Sequence, residues 1–155
     1  MRQDLGLSAG PAAEGAASLT AFTTGLGLTY RLDRARPVNS FDAHRLLQAA
    51  AGHGLADQVR ERLMRAYTGE GAHLADHTTL VALVAEAGFP VDIARSLLRG
   101  DNYAEAVRAD EAAARRHGVT GVPSAVIAGQ RRIAGAQPAH VLLRELRLAW
   151  HSATR

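Results

Sequence analysis

Ser124, a scatter of histidines and Asn39 are the residues here that invite a chemical reading, because the chain has no cysteine. Ser124 follows Pro123 in the stretch GVTGVPSAVIAG, residues 118–129. A serine nucleophile needs a base within hydrogen-bond reach. No neighbour in the sequence supplies one, and a small residue at a strand start explains Ser124 as well. His73 and His77 stand four apart, a spacing at which one helix face can present two metal ligands. Asp76 between them reads as the N-cap of a helix beginning at His77, which leaves His73 outside. Two ligands without a third do not make a site. His44, in DAHRLL, either lines a ligand cleft or packs between helices, and packing is the preferred reading. Asn39 or Ser40 caps the helix that follows.

The missing thiol narrows the chemistry further. No disulfide scaffold, thiolate metal site or cysteine-based redox cycle is open to these 155 residues. No metal or other cofactor is implied. The pI of about 10.1 suggests nucleic acid, but the formal charge is only +3. The basic residues are all arginine, spread along the chain as ordinary surface charge. Neither nucleic acid nor a membrane is expected as a partner. No basic leader with an apolar core and no run of about 20 apolar residues is visible, so the expected location is cytoplasmic.

These residues must be positioned by elements, and the sequence spaces most of them as helices. A first helix is expected over about 14–26, with Leu19, Phe22 and Leu26 among its apolar positions. Leu28, Tyr30 and Leu32 then alternate with Thr29, Arg31 and Asp33, the period of a half-buried strand, until Pro37 interrupts it. Helices follow over about 40–51, 55–67, 77–87, 90–99 and 103–117. The second of these carries Leu55, Val59, Leu63 and Met64 on one stripe. Leu80, Val81, Leu83 and Val84 lie inside the third, and Asn102 with Glu105 has capping-box spacing for the last. At Gly118 the pattern changes. Residues 122–128 form a β-branched run, Ala128, Gly129 and Gln130 a turn, and Arg131 to Ala134 a returning strand. Pro138 opens a final helix carrying Val141, Leu142, Leu146, Leu148 and Trp150. With no repeat or low-complexity linker, the chain reads as one domain over 1–155. Its helical region spans 27–117, and its hairpin and last helix span 118–150.

Three segments carry a family resemblance: GLTYRLDRARPVNSFDAHRLL (27–47), RAYTGEGAHLADHTTLVALVAEAG (65–88) and YAEAVRADEAAARRHGVTGVPSAVIAGQRRIAGAQPAHVLLREL (103–146). Together they resemble the DsbA family, in its FrnE-like branch near the 2-hydroxychromene-2-carboxylate isomerases and kappa-class glutathione transferases. The resemblance implies an α/β class and a partial thioredoxin-like fold of DsbA type, a mostly helical insertion followed by a C-terminal hairpin and helix. It implies a cis bond between Val122 and Pro123, with the backbone of Val122 free to pair with an extended substrate chain. It also places Val122, Pro123, Ser124, His44 and Asn39 as substrate-binding candidates, with no catalytic residue among them.

The family activity is dithiol–disulfide exchange, carried by a strand–Cys-x-x-Cys helix–strand unit. The sequence lacks that unit, and Met1 aligns after it. The expected protein is therefore a redox-inactive relative of disulfide oxidoreductases. Its alternatives are a dimeric binding or chaperone-like module and a glutathione-dependent isomerase-like protein. With the unit missing, the proline strand keeps an open edge near 122–128. A second copy of the chain is expected to cover it, or else residues 28–32 fold over it. A peptide or small molecule is the expected ligand.

Overall fold

The computed structural model describes residues 9–129 and 131–153. The expected opening stretch before Ala9 and the turn residue Gln130 lie outside the described residues. The chain divides into two compact units, the first ending at Ala104 and the second beginning at Glu105.

The first unit is helical. It contains α1 (Ala9–Gly25), α2 (Phe41–Gly52), α3 (Ala56–Arg65) continued by a π-helical turn (Ala66–Glu70), α4 (His77–Glu86) and α5 (Val91–Arg99). Each of α2 to α5 turns a stripe of aliphatic residues inward. Ala43, Leu46 and Ala50 do so from α2, Val59 and Leu63 from α3, Leu80 and Val84 from α4, and Ala94 and Leu97 from α5. These spacings of three and four place each set on one helical face. Phe89, between α4 and α5, closes the core and meets the His53 ring edge-on, with centroids 5.1 Å apart. Met64 departs from the expected stripe and is exposed. Position 64 lies about 100° around the helix from Leu63, and here that step carries it out of the core.

Helix starts follow capping chemistry. Asp76 accepts from the Thr79 backbone N–H at 2.7 Å and from the Thr79 hydroxyl at 2.7 Å, so α4 begins at His77 and His73 stays outside it. Before α2, Asn39 Oδ1 accepts from the Phe41 N–H at 2.9 Å, while Ser40 occupies the cap position without a side-chain bond.

Residues 28–32 do not form the expected strand. Leu32 to Arg34 make a turn, and Arg31 donates its backbone N–H to the Thr68 carbonyl at 2.7 Å. The stretch lies against the π-helical turn instead of a sheet. Two glycines permit this. A Cβ on Gly69 would stand 3.0 Å from the Thr29 carbonyl oxygen, and one on Gly71 would stand 2.9 Å from the Arg34 Cβ. Gly71 also has φ +71°, a conformation that side chains disfavour. Of the alternating apolar residues Tyr30 and Leu32 are half-buried and Leu28 is exposed, so the strand period here does not mark a buried face.

The second unit contains α6 (Ala104–Arg116, from Glu105 onward), β1 (Ser124–Ile127), β2 (Arg131–Ala134) and α7 (Ala139–Ala153). α6 begins at Ala104, one residue after the expected start. Among the described residues β1 and β2 form a two-stranded antiparallel sheet, with Ala125 opposite Ile133 and Val126 opposite Arg132. The strand is shorter than the β-branched run suggested, because Val122 and Pro123 belong to the loop before it. Ala128 and Gly129 both have positive φ in the hairpin turn. α7 packs on both strands, burying Ile133 and Ala149. Arg131 on β2 and Glu145 on α7 join at 2.6 Å.

Candidate functional site

The hairpin and the loop before it form the site in the second unit. The Val122–Pro123 peptide bond is cis. The Pro123 carbonyl accepts from the Gly135 N–H at 2.9 Å, so the loop is tied to the end of β2. Val122 is 92% exposed, the most open large apolar residue among the described residues. Its backbone has no partner among the described residues. β1 has β2 on one side and, among the described residues, no strand on the other. An unpaired strand edge presents alternating N–H and C=O groups to whatever extended chain comes alongside.

Ser124 does not stand ready as a nucleophile. Its hydroxyl donates to the Gly121 carbonyl at 2.7 Å, closing the loop upstream of Pro123. This bond explains the serine structurally. Across the hairpin, Glu145 accepts from both Arg131 and Arg144, and these bonds hold its carboxyl below the usual carboxylate range.

Asn39 and His44 lie in the first unit, so their surroundings are described separately from the proline loop. Asn39 is committed to the start of α2. His44 is exposed on α2; its backbone N–H donates to the Ser40 carbonyl at 3.0 Å, and its ring has no hydrogen-bond partner among the described residues. This corrects the preferred reading of a packed histidine. The core face of α2 is set by Ala43, Leu46 and Ala50, and position 44 projects away from it. Tyr30 and Phe41 are half-buried.

The pair His73 and His77 is divided by the cap at Asp76. His77 Nε2 lies 2.8 Å from Asp42 Oδ2, so its ring is oriented by a carboxylate of α2. Among the described residues no three His, Asp or Glu side chains gather in metal-ligand geometry.

Arg45 is the residue that sequence reading missed. It is buried, 4% exposed, on the inner side of α2. Its Nη2 donates to the carbonyls of Leu97, at 2.6 Å, and Gly100; its Nε donates to that of Asn102 at 2.9 Å. Nη1 meets Asp42 Oδ1 at 2.8 Å. The last carbonyls of a helix have no intrahelical donor. Arg45 supplies one to the end of α5, where a positive charge also meets the negative pole of the helix dipole. Burial acts to raise the Asp42 carboxyl, but hydrogen bonds from Arg45 and His77 outweigh it and hold the group below its ordinary range. The available signal was an arginine beside the apolar stripe Ala43, Leu46, Ala50. Asp42 is a local partner, but the three carbonyls lie more than fifty residues away and leave no local trace.

A helical unit, together with a two-stranded hairpin entered through a cis-proline loop and closed by a helix, defines a thioredoxin-like protein of the DsbA architecture. The comparisons agree. Residues 11–147 match the DSBA-like thioredoxin domain. The chain is also similar to a crystal structure described as a probable DsbA oxidoreductase from Streptomyces coelicolor. The identity is 34% and the TM-score 0.86, over 96% of this chain and 64% of that one. No curated protein matches the sequence. The chain belongs to the DSBA-like thioredoxin domain family, and it spans 64% of the length of that crystallised relative.

Proposed function

We propose that this chain is a redox-inactive DsbA-family protein that binds its target instead of oxidising it. Disulfide exchange begins with attack by a thiolate, and these 155 residues contain none. What remains is the binding half of the family's equipment. The observation that carries the reading is the open edge of β1, entered through the fully exposed Val122. An extended peptide laid along that edge gains main-chain hydrogen bonds without any thiol chemistry. Within this reading Val122, Pro123 and Ser124 form the binding loop, and the resemblance carried by 27–47, 65–88 and 103–146 supports the FrnE-like branch as its place in the family.

The same edge suits a second copy of the chain. Val126 and, on α7, Leu143, Leu146 and Trp150 are exposed in the second unit. An apolar surface beside an unpaired strand favours pairing with another strand edge. A homodimer joined through residues 122–128 is therefore the assembly we propose for the unliganded protein.

Two measurements test the proposal. Insulin reduction by dithiothreitol should run at the uncatalysed rate. An extended apolar peptide should slow deuterium exchange at the β1 amides and should dissociate any dimer. Peptide binding that leaves those amides unprotected would refute the edge as the site. Saturable glutathione binding with no peptide binding would favour the isomerase-like alternative.

A further inference from the structure

Between α4 and α5 runs a groove of about 410 Å³, wholly inside the first unit and apart from the loop discussed above. Its floor is aliphatic, formed by Val81, Ala85, Val91 and Leu98. Its polar lining consists of His77, Thr78, Arg95 and Arg99, and no lining residue is acidic. We propose that this groove binds a small amphipathic carboxylate, with its apolar body on the aliphatic floor and its head between Arg95 and Arg99.

The charges support an anion over a cation or a neutral ligand. Arg95 and Arg99 are four apart on α5 and so share one face. Both are exposed, and neither has an acidic partner among the described residues. Asp92, three residues before Arg95 on α5, does not line the groove and makes no ion pair with either arginine among the described residues, and two further carboxylates are engaged elsewhere. Asp42 is held by Arg45 and His77, and Asp76 by Thr79. The groove therefore keeps two uncompensated guanidinium groups over an apolar surface. A guanidinium fork matches a carboxylate in shape as well as in charge. The aliphatic stems of both arginines can lie along the floor while their heads stay at the rim. The volume falls in the range of small-molecule sites and suits a medium-length aliphatic or single-ring body.

The test uses three ten-carbon probes of one shape and different charge: decanoate, decanol and decyltrimethylammonium, each below its micelle concentration. Backbone NMR shifts of the isotope-labelled chain report both affinity and place. Decanoate should saturate shifts at Val81, Ala85, Val91 and Leu98. It should bind about tenfold more tightly than decanol, the effect of two exposed charge contacts, and the cation should bind most weakly. R95Q/R99Q keeps residues of similar helix propensity and should bring decanoate down to the affinity of decanol. Ala85→Leu should weaken both probes while preserving their order. Equal affinity for decanoate and decanol, unchanged decanoate binding in R95Q/R99Q, or shifts confined to the exposed apolar faces of α1 or α7 would each overturn the proposal. So would the absence of decanoate binding.

Discussion

Replacing Arg45 with methionine should cost more stability than any other single polar substitution in the first unit. The side chain is buried and serves three backbone carbonyls and one carboxylate. Methionine restores much of the stem's packing and none of its donors. The carbonyls of Leu97 and Gly100 at the end of α5 then lose their charged donor. A buried polar group left unsatisfied costs about 1–3 kcal/mol, and removing one member of a buried pair about 3–5 kcal/mol. Water can reach Gly100 and Asn102, which are exposed, so the cost of Arg45→Met falls where the two ranges meet, at about 3 kcal/mol. At roughly 2–4 °C per kcal/mol for a chain of this size, the melting temperature should fall by about 6–12 °C. Arg45→Lys should recover no more than half of the loss, because one ammonium cannot reproduce a planar fork serving four acceptors. Urea unfolding followed by circular dichroism at pH 7 gives both values. A variant Arg45→Met within about 1 kcal/mol of the wild type, or a lysine equal to arginine, would refute the assignment of Arg45 as the bond between α2 and the end of α5.

Other outcomes follow from the same geometry. Because the folded Asp42 carboxyl titrates below its ordinary value, its contribution is complete above the unfolded pKa and is lost as pH falls through the folded one. Urea midpoints should therefore be flat from pH 7 to about 5 and drop below about pH 4, the unfolded range, and Asp42→Asn should reduce that acid-dependent drop. Gly71→Ala should destabilise by about 2 kcal/mol or more, since it combines φ +71° with a Cβ 3.0 Å from the Arg34 carbonyl oxygen; a loss under about 0.5 kcal/mol in the urea midpoint would show that residues 29–34 yield freely. Leu46→Ala, at a fully buried position, should cost about 2–5 kcal/mol by the same measurement. Ser124→Ala should leave the hairpin folded and peptide protection at the β1 amides intact, because the hydroxyl serves only the Gly121 carbonyl; loss of peptide binding would give that hydroxyl a role in recognition.

The local signals were legible wherever one segment of chain carries its own reason to fold. Asp76 caps α4 through Thr79, two residues beyond the helix start, so sequence spacing alone locates the boundary and separates His73 from His77. Leu80, Val81, Leu83 and Val84 were readable as the inner residues of α4 and are buried there, because a helix converts spacing into direction. The β-branched run after Pro123 and the glycine in the turn mark the hairpin, and the order of these pieces carried the family. That these 155 residues hold no thiolate was likewise legible before any fold was known.

What the tertiary structure decided concerns residues whose partners are distant along the chain. Residues 28–32 alternate like a strand, but alternation names no partner, and here the stretch meets the π-helical turn at Gly69 and Gly71 and leaves Leu28 exposed. His44 and Arg45 are neighbours in sequence, one exposed and one buried. A single helical step of about 100° separates them, and only the position of α5 decides which is enclosed. The groove beneath Arg95 and Arg99 exists because α4 and α5 pack with small residues between them, a property of two surfaces and of neither segment alone. Sequence specifies directions along each element. Burial, charge pairing and cavities arise only when two such directions meet.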